Sequence, residues 1–145
     1  MSRGWVLYLI VMMVGCSGSH RPQIGVTDGR LAACPDSPNC VSSQSTDPRH
    51  AIAPLRYEGP AEKAWKRLIK AVSEMKRARI VVAQDQYFRA EFTSALFRFV
   101  DDVEFLLDDS ARTIHVRSAS RIGHSDLGVN RKRVEEIRSR FQSVP

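Results

Sequence analysis

The sequence predicts an α+β two-layer sandwich: a roughly four-stranded antiparallel sheet with two helices on one face, in the order helix-strand-strand-strand-strand-helix. Three observations predict it. Apolar residues recur every three or four positions around Leu68 and again around Ile137, stretches between them alternate apolar and polar residues, and the connections are too short for parallel returns. With 145 residues, 43% of them hydrophobic, the chain fits one small domain with an ordinary core rather than a disordered or fibrous protein.

The first part of the domain, Cys34 to Gly59, carries Pro35, Pro38, Pro48 and Pro54, so it is expected to wrap on the domain without regular structure. The period then changes. In GPAEKAWKRLIKAVSEMKRAR, Ala61, Ala64, Trp65, Leu68, Ile69, Val72 and Met75 form a helical stripe, with Pro60 suited to the first helical position and Glu62 in the first turn. RIVVAQDQ predicts a short strand from Arg79 to Ala83 with a turn near Asp85, and YFRAEFT alternates Phe88, Ala90 and Phe92 against Tyr87, Arg89, Glu91 and Thr93.

RFVDDVEFLLDD alternates again, with Phe99, Val103, Phe105 and Leu107 expected on the core side. After a turn at DDSA, RTIHVRSASRIG sets Ile114 and Val116 against His115 and Arg117. The last helix places Leu127, Val134, Ile137 and Phe141 on one stripe, with Asn130 as its expected N-cap. Both helices need the same apolar sheet face, which leaves the other face open in this reading.

The chain opens MSRGWVLYLIVMMVGCSGS. The apolar run from Trp5 to Val14 is ten residues, too short to cross a bilayer core of about 30 Å as a helix and suited to a secretory signal. MVGC resembles the lipobox of bacterial lipoproteins, with Met13 where leucine is usual. That resemblance implies removal of residues 1–15 as a signal peptide and fatty acylation of Cys16 with palmitate-type chains, a lasting membrane anchor at about 0.8 kcal/mol per buried methylene. Residues 16–33, polar and rich in glycine, read as a flexible tether. Residues 34–145 then form a single α+β domain, with 34–59 as its irregular N-terminal segment.

Three later stretches, CPDSPNCVSSQ, FRFVDDVEF and RSASRIGHSDLGVNRKRVEEIR, resemble the bacterial family known as domain of unknown function 1499 over about Leu31 to Phe141. The resemblance implies attachment to a membrane, as in many of its members, and assigns no catalytic residue.

Export leaves Cys34 and Cys40 as the two thiols able to pair, and outside the cytoplasm such pairs oxidise and persist. A disulfide there staples the proline-rich segment. The rival readings are a redox-active pair or half of a metal site with His50, but a thioredoxin-like site has C-x-x-C and a zinc site has four ligands. Neither His115 nor His124 has a second ligand at metal spacing, so no metal or other cofactor is expected.

Asp101 and Asp102 are adjacent in a strand and point to opposite faces, which excludes a paired acid and base. Asp101 falls on the core side and needs a partner, with Arg121 and Arg131 the candidates. Asp102, on the open side, is expected to matter far less. The competing reading gathers Ser118, Ser120, Arg121, His124, Ser125, Asp126 and Asn130 of SRIGHSDLGVN into a polar pocket for a small anion at a helix start. No G-x-S-x-G and no glycine-rich phosphate loop is present, so no catalytic residue is expected.

The net charge is +6, and without residues 1–15 the chain keeps 21 basic against 16 acidic residues. Basic residues crowd the first helix and the region after Ala111, which suits anionic headgroups or envelope polymers. Nucleic acid is a poor match, because no aromatic stacking platform is evident. These features describe a protein of the cell envelope, lipid-anchored (on the periplasmic side of the outer membrane if the bacterium is Gram-negative). It is non-enzymatic in this reading and binds a partner protein, lipid or anionic polymer. An enzyme or small-ligand binder using residues 118–130 is the alternative.

Overall fold

A computed structural model describes residues 23–143 of the protein. In chain order its elements are β1 (Val26–Thr27), β2 (Arg30–Leu31), β3 (Cys40–Ser42), β4 (Leu55–Arg56), α1 (Ala61–Ser73), β5 (Ala78–Ala83), β6 (Tyr87–Thr93), β7 (Val100–Asp108), β8 (Thr113–Ser120) and α2 (Val129–Ser143). The signal peptide expected at 1–15 and Cys16 lie outside the described residues.

The fold is an α+β sandwich with two helices against one face of an antiparallel sheet. The four long strands run β5-β6-β7-β8, each beside its sequence neighbour, because the short turns between them allow antiparallel return only. Six strands make up the sheet rather than four. The other two come from the segment expected to be irregular: β3 and β4 both pair with β8, Cys40 opposite Ala119 and Leu55 opposite Ile114. Between Cys40 and Pro48 the chain has no proline, so its backbone amides are free to complete the outer edge.

Alternation places the core as expected over most of its length. Phe88, Ala90 and Phe92 of β6 face Phe105, Val103 and Asp101 of β7, and these face Val116, Ser118 and Ser120 of β8. Against this layer pack Trp65, Leu68 and Val72 of α1 and Val134, Ile137 and Phe141 of α2. Phe88 stacks on Phe105 with centroids 4.3 Å apart, and the Trp65 ring meets Phe88 edge to face. Pro60 stands at the N-cap, one residue before the helix, and its carbonyl accepts from the Lys63 and Ala64 amides.

Two residues of the expected core are outside it. Phe99 precedes β7, is 47% exposed, and stacks on Phe97 instead. Leu127 precedes α2 and is 88% exposed. Both continue an apolar period past the end of the opposing layer, where nothing remains to cover them.

The second sheet face is covered, against the expectation that it is open. Residues 26–31, expected in a flexible tether, form the β1-β2 hairpin, and β2 lies over β7 and β8. Leu31 is buried there. The Gly25 amide donates to Glu104 Oε1 at 2.6 Å, the Leu31 amide donates to Gln44 Oε1 at 2.8 Å, and Arg117 Nη2 donates to the Ala33 carbonyl at 3.4 Å.

Candidate functional site

The loop after β8 folds around Asn130. Expected as an N-cap, Asn130 instead lies inside α2 and is fully buried. Asp126 takes the capping role: its side chain accepts from the Gly128 and Asn130 amides at 2.9 and 2.7 Å. Asn130 Oδ1 accepts from Ser118 Oγ at 2.5 Å and from Arg133 Nη1 at 2.7 Å. Its Nδ2 donates to the Asn39 carbonyl, Ser120 Oγ and Asp126 Oδ2 within 3.0 Å. Ser118, Ser120, Asp126 and Asn130 are therefore brought together, and they satisfy one another. His124 and Ser125 stay exposed.

Neither expected partner of Asp101 reaches it. Asp101 is buried and pairs with Arg133 of α2, Nη2 lying 2.5 Å from Oδ2. Arg131 turns away and donates to the Ala51 and Arg49 carbonyls at 2.8 and 3.2 Å. The cause is helical phase: Arg133 follows Asn130 by three positions and shares its inward face, whereas Arg131 is rotated about 100° from Asn130. Arg133 also lies over the Phe92 ring at 4.9 Å.

Arg121 belongs to the opposite sheet face, with Asp102. That face carries a lattice of charges. Asp102, which is almost fully buried, accepts from Arg121 Nε at 2.7 Å and Arg89 Nη1 at 2.8 Å. Arg121 also reaches Glu91, which Arg79 binds at 2.5 Å. Glu104 accepts from Arg117 Nη1 at 2.9 Å and Tyr87 Oη at 2.9 Å. Arg121 and Arg79 hold the Glu91 carboxyl below its usual range. Burial, with Glu104 beside it, pushes the Tyr87 phenol well up. Alternation alone marks Arg89, Glu91, Glu104 and Arg117 as one face, but it does not show that the segment from Gly25 to Ala33 reaches over and binds Glu104 and Arg117.

Cys34 and Cys40 form a disulfide, with sulfurs 2.02 Å apart. His50 is buried, and its Nδ1 lies 2.9 Å from the Cys40 carbonyl. Among the described residues no group of three or more His, Cys, Asp or Glu side chains is placed to hold a metal ion. Beside the disulfide, a cavity of about 480 Å³ is lined by Ser37, Asn39, Arg117, Ser120, Arg121 and Gly123 among others. Arg117 has its Nε buried without a hydrogen-bond partner among the described residues.

At the end of the sheet where β6 turns into β7, the surface changes character. The connections 74–77, 94–99 and 121–128 meet there: the Thr93 amide donates to the Arg77 carbonyl at 3.2 Å and the Arg121 amide to the Val100 carbonyl at 3.1 Å. Six of the eight exposed large apolar side chains among the described residues lie at this end: Leu96, Phe97, Phe99, Ile122, Leu127 and Val129. The exposed cations Lys76, Arg77, Arg98 and Lys132 stand among them without a carboxylate partner among the described residues. Sequence periodicity missed this patch because it assigned Phe99 and Leu127 to the core.

None of the helices among the described residues is long and apolar enough to cross a membrane. No curated protein matches the chain significantly. A family model described as protein of unknown function (DUF1499) matches residues 30–141, which include every strand of the six-stranded sheet, α1, all but the last two residues of α2, and the disulfide. The chain therefore belongs to the DUF1499 family.

Proposed function

We propose that this chain is a lipid-anchored protein of the bacterial cell envelope whose small domain acts by binding, without catalysis, a partner protein, a lipid surface or an anionic polymer. One observation carries this reading. The polar groups that converge around Asn130 are spent on one another, whereas at the β6-β7 end large apolar side chains are exposed and the cations among them have no carboxylate partner among the described residues. Exposed apolar patches of this kind mark interaction surfaces. The test of the anchor is metabolic labelling with a fatty acid: the full chain takes up label and Cys16→Ala does not. Unlabelled, soluble wild-type protein overturns it.

A second reading, a site for a small anion, is favoured by the cavity beside the disulfide, whose lining includes both Arg117 and Arg121. A thermal shift on adding inorganic phosphate or acetate, absent in Arg117→Met relative to that variant's own baseline, supports it. Unshifted wild-type protein rejects it.

A further inference from the structure

We infer that the β6-β7 end of the domain docks on an anionic lipid surface, with Leu96, Phe97 and Leu127 entering the interface and Lys76, Arg77, Arg98 and Lys132 meeting headgroup phosphates. The inference rests on the binding reading above and commits it to one partner.

Three independent features converge. The first is chemical. Leu96, Phe97, Phe99, Ile122 and Leu127 are exposed on two separate loops, and beside them Lys76, Arg77 and Lys132 line a shallow cavity of about 610 Å³ without a carboxylate partner among the described residues. Amphipathic side chains set among basic ones suit the boundary between headgroups and acyl chains, where each residue type finds its own layer. Acidic side chains nearby are already engaged: Glu74 faces Lys70 at 3.9 Å, Glu136 binds Arg140 at 2.8 Å, and Asp126 caps α2.

The second is conformational. Leu127 lies in the left-handed backbone region with φ of 54°, and Arg77 and Arg98 share that region with φ of 62° and 55°. A leucine in that conformation is disfavoured, and its 88% exposure recovers nothing within the domain. A site outside the domain that takes up the side chain accounts for both features.

The third is the path of the chain. Gln23, the first described residue, lines the same cavity as Arg121 and Gly123, close to this end of the sheet. Seven residue steps separate it from Cys16, a reach of at most about 25 Å. A bilayer that holds Cys16 is thus within reach of the patch.

The test uses the full chain in vesicles of phosphatidylglycerol and phosphatidylethanolamine. Phe97→Cys and, at the opposite end in the β7-β8 turn, Ser110→Cys each add one thiol to a protein whose Cys34 and Cys40 are oxidised. A nitroxide at position 97 is expected to collide with oxygen over a water-soluble nickel chelate in a ratio several-fold higher than one at 110. Lys76→Glu with Lys132→Glu is expected to bring position 97 down to the ratio of 110. Equal ratios in the otherwise unchanged chain overturn the inference, as does immersion that the double charge reversal leaves intact. A label that is aqueous on vesicles yet immobilised in native membranes also overturns it, in favour of a protein partner. Anchor and docking fail separately: acylated Cys16 with an aqueous label at 97 rejects docking alone, and an immersed label on unacylated protein rejects the anchor alone.

Discussion

Asp101 and Asp102, neighbours in β7, are bound from opposite sides of the sheet: Arg133 of α2 takes Asp101, and Arg121 with Arg89 takes Asp102. Both carboxylates are buried, and removing one member of a buried pair costs about 3–5 kcal/mol. Asp102→Ala removes the buried carboxylate that two guanidinium groups share and leaves both to Glu91, and its cost is expected within that range. Asp101→Ala is expected to cost less, because Arg133 keeps Asn130 and the Phe92 ring. Urea denaturation measures both, and losses under about 1 kcal/mol for Asp102→Ala contradict the buried lattice.

Arg117 and Glu104 oppose each other in β8 and β7, with side chains 2% and 0% exposed. Arg117→Met leaves an uncompensated carboxylate and is expected to destabilise by about 3–5 kcal/mol. Adding Glu104→Gln to Arg117→Met removes that charge while keeping an acceptor for Tyr87, so the double variant is expected to be more stable than the single one. Additive losses in the cycle reject the coupling.

The Cys34–Cys40 bridge closes a short loop, and chain-entropy reasoning gives such a loop about 2 kcal/mol. Non-reduced protein is expected to be two protons lighter by mass spectrometry. Cys34→Ala with Cys40→Ala is expected to lower stability by that amount and to increase hydrogen exchange at Cys40 to Ser42, since β3 pairs with β8 directly after the bridge. Unchanged exchange there rejects the staple.

Glu91 has a folded-state pKa below its ordinary value of 4.5, chiefly because Arg121 and then Arg79 bind the ionised form. Its contribution is complete above the unfolded value and disappears as pH falls through the lower folded one. Stability of the wild-type protein is therefore expected to decline below about pH 4.5. Glu91→Gln is expected to be less stable at pH 7 and to lose less on acidification. Parallel stability curves for the two proteins contradict the assignment.

The sequence by itself determined the kind and order of the main elements. A period of 3.6 around Leu68 and Ile137, and of two from Tyr87 to Ser120, is set by the backbone geometry of each element and needs no distant partner. It also determined that Asp101 turns inward, because alternation with Val103 and Phe105 leaves it no other side. The disulfide was legible from the expectation of export, under which Cys34 and Cys40 are the two thiols left to pair. Only the tertiary structure decided which arginine meets Asp101, because a long side chain reaches several candidates and helical phase selects Arg133 over Arg131. It alone decided that Glu104 is as buried as any core residue, since the segment whose Gly25 amide binds it comes from almost eighty residues upstream and has no apolar period of its own. Phe99 and Leu127 show the same limit from the other side. An apolar residue in phase with a core is buried only where an opposing layer extends far enough, and at the β6-β7 end that layer stops.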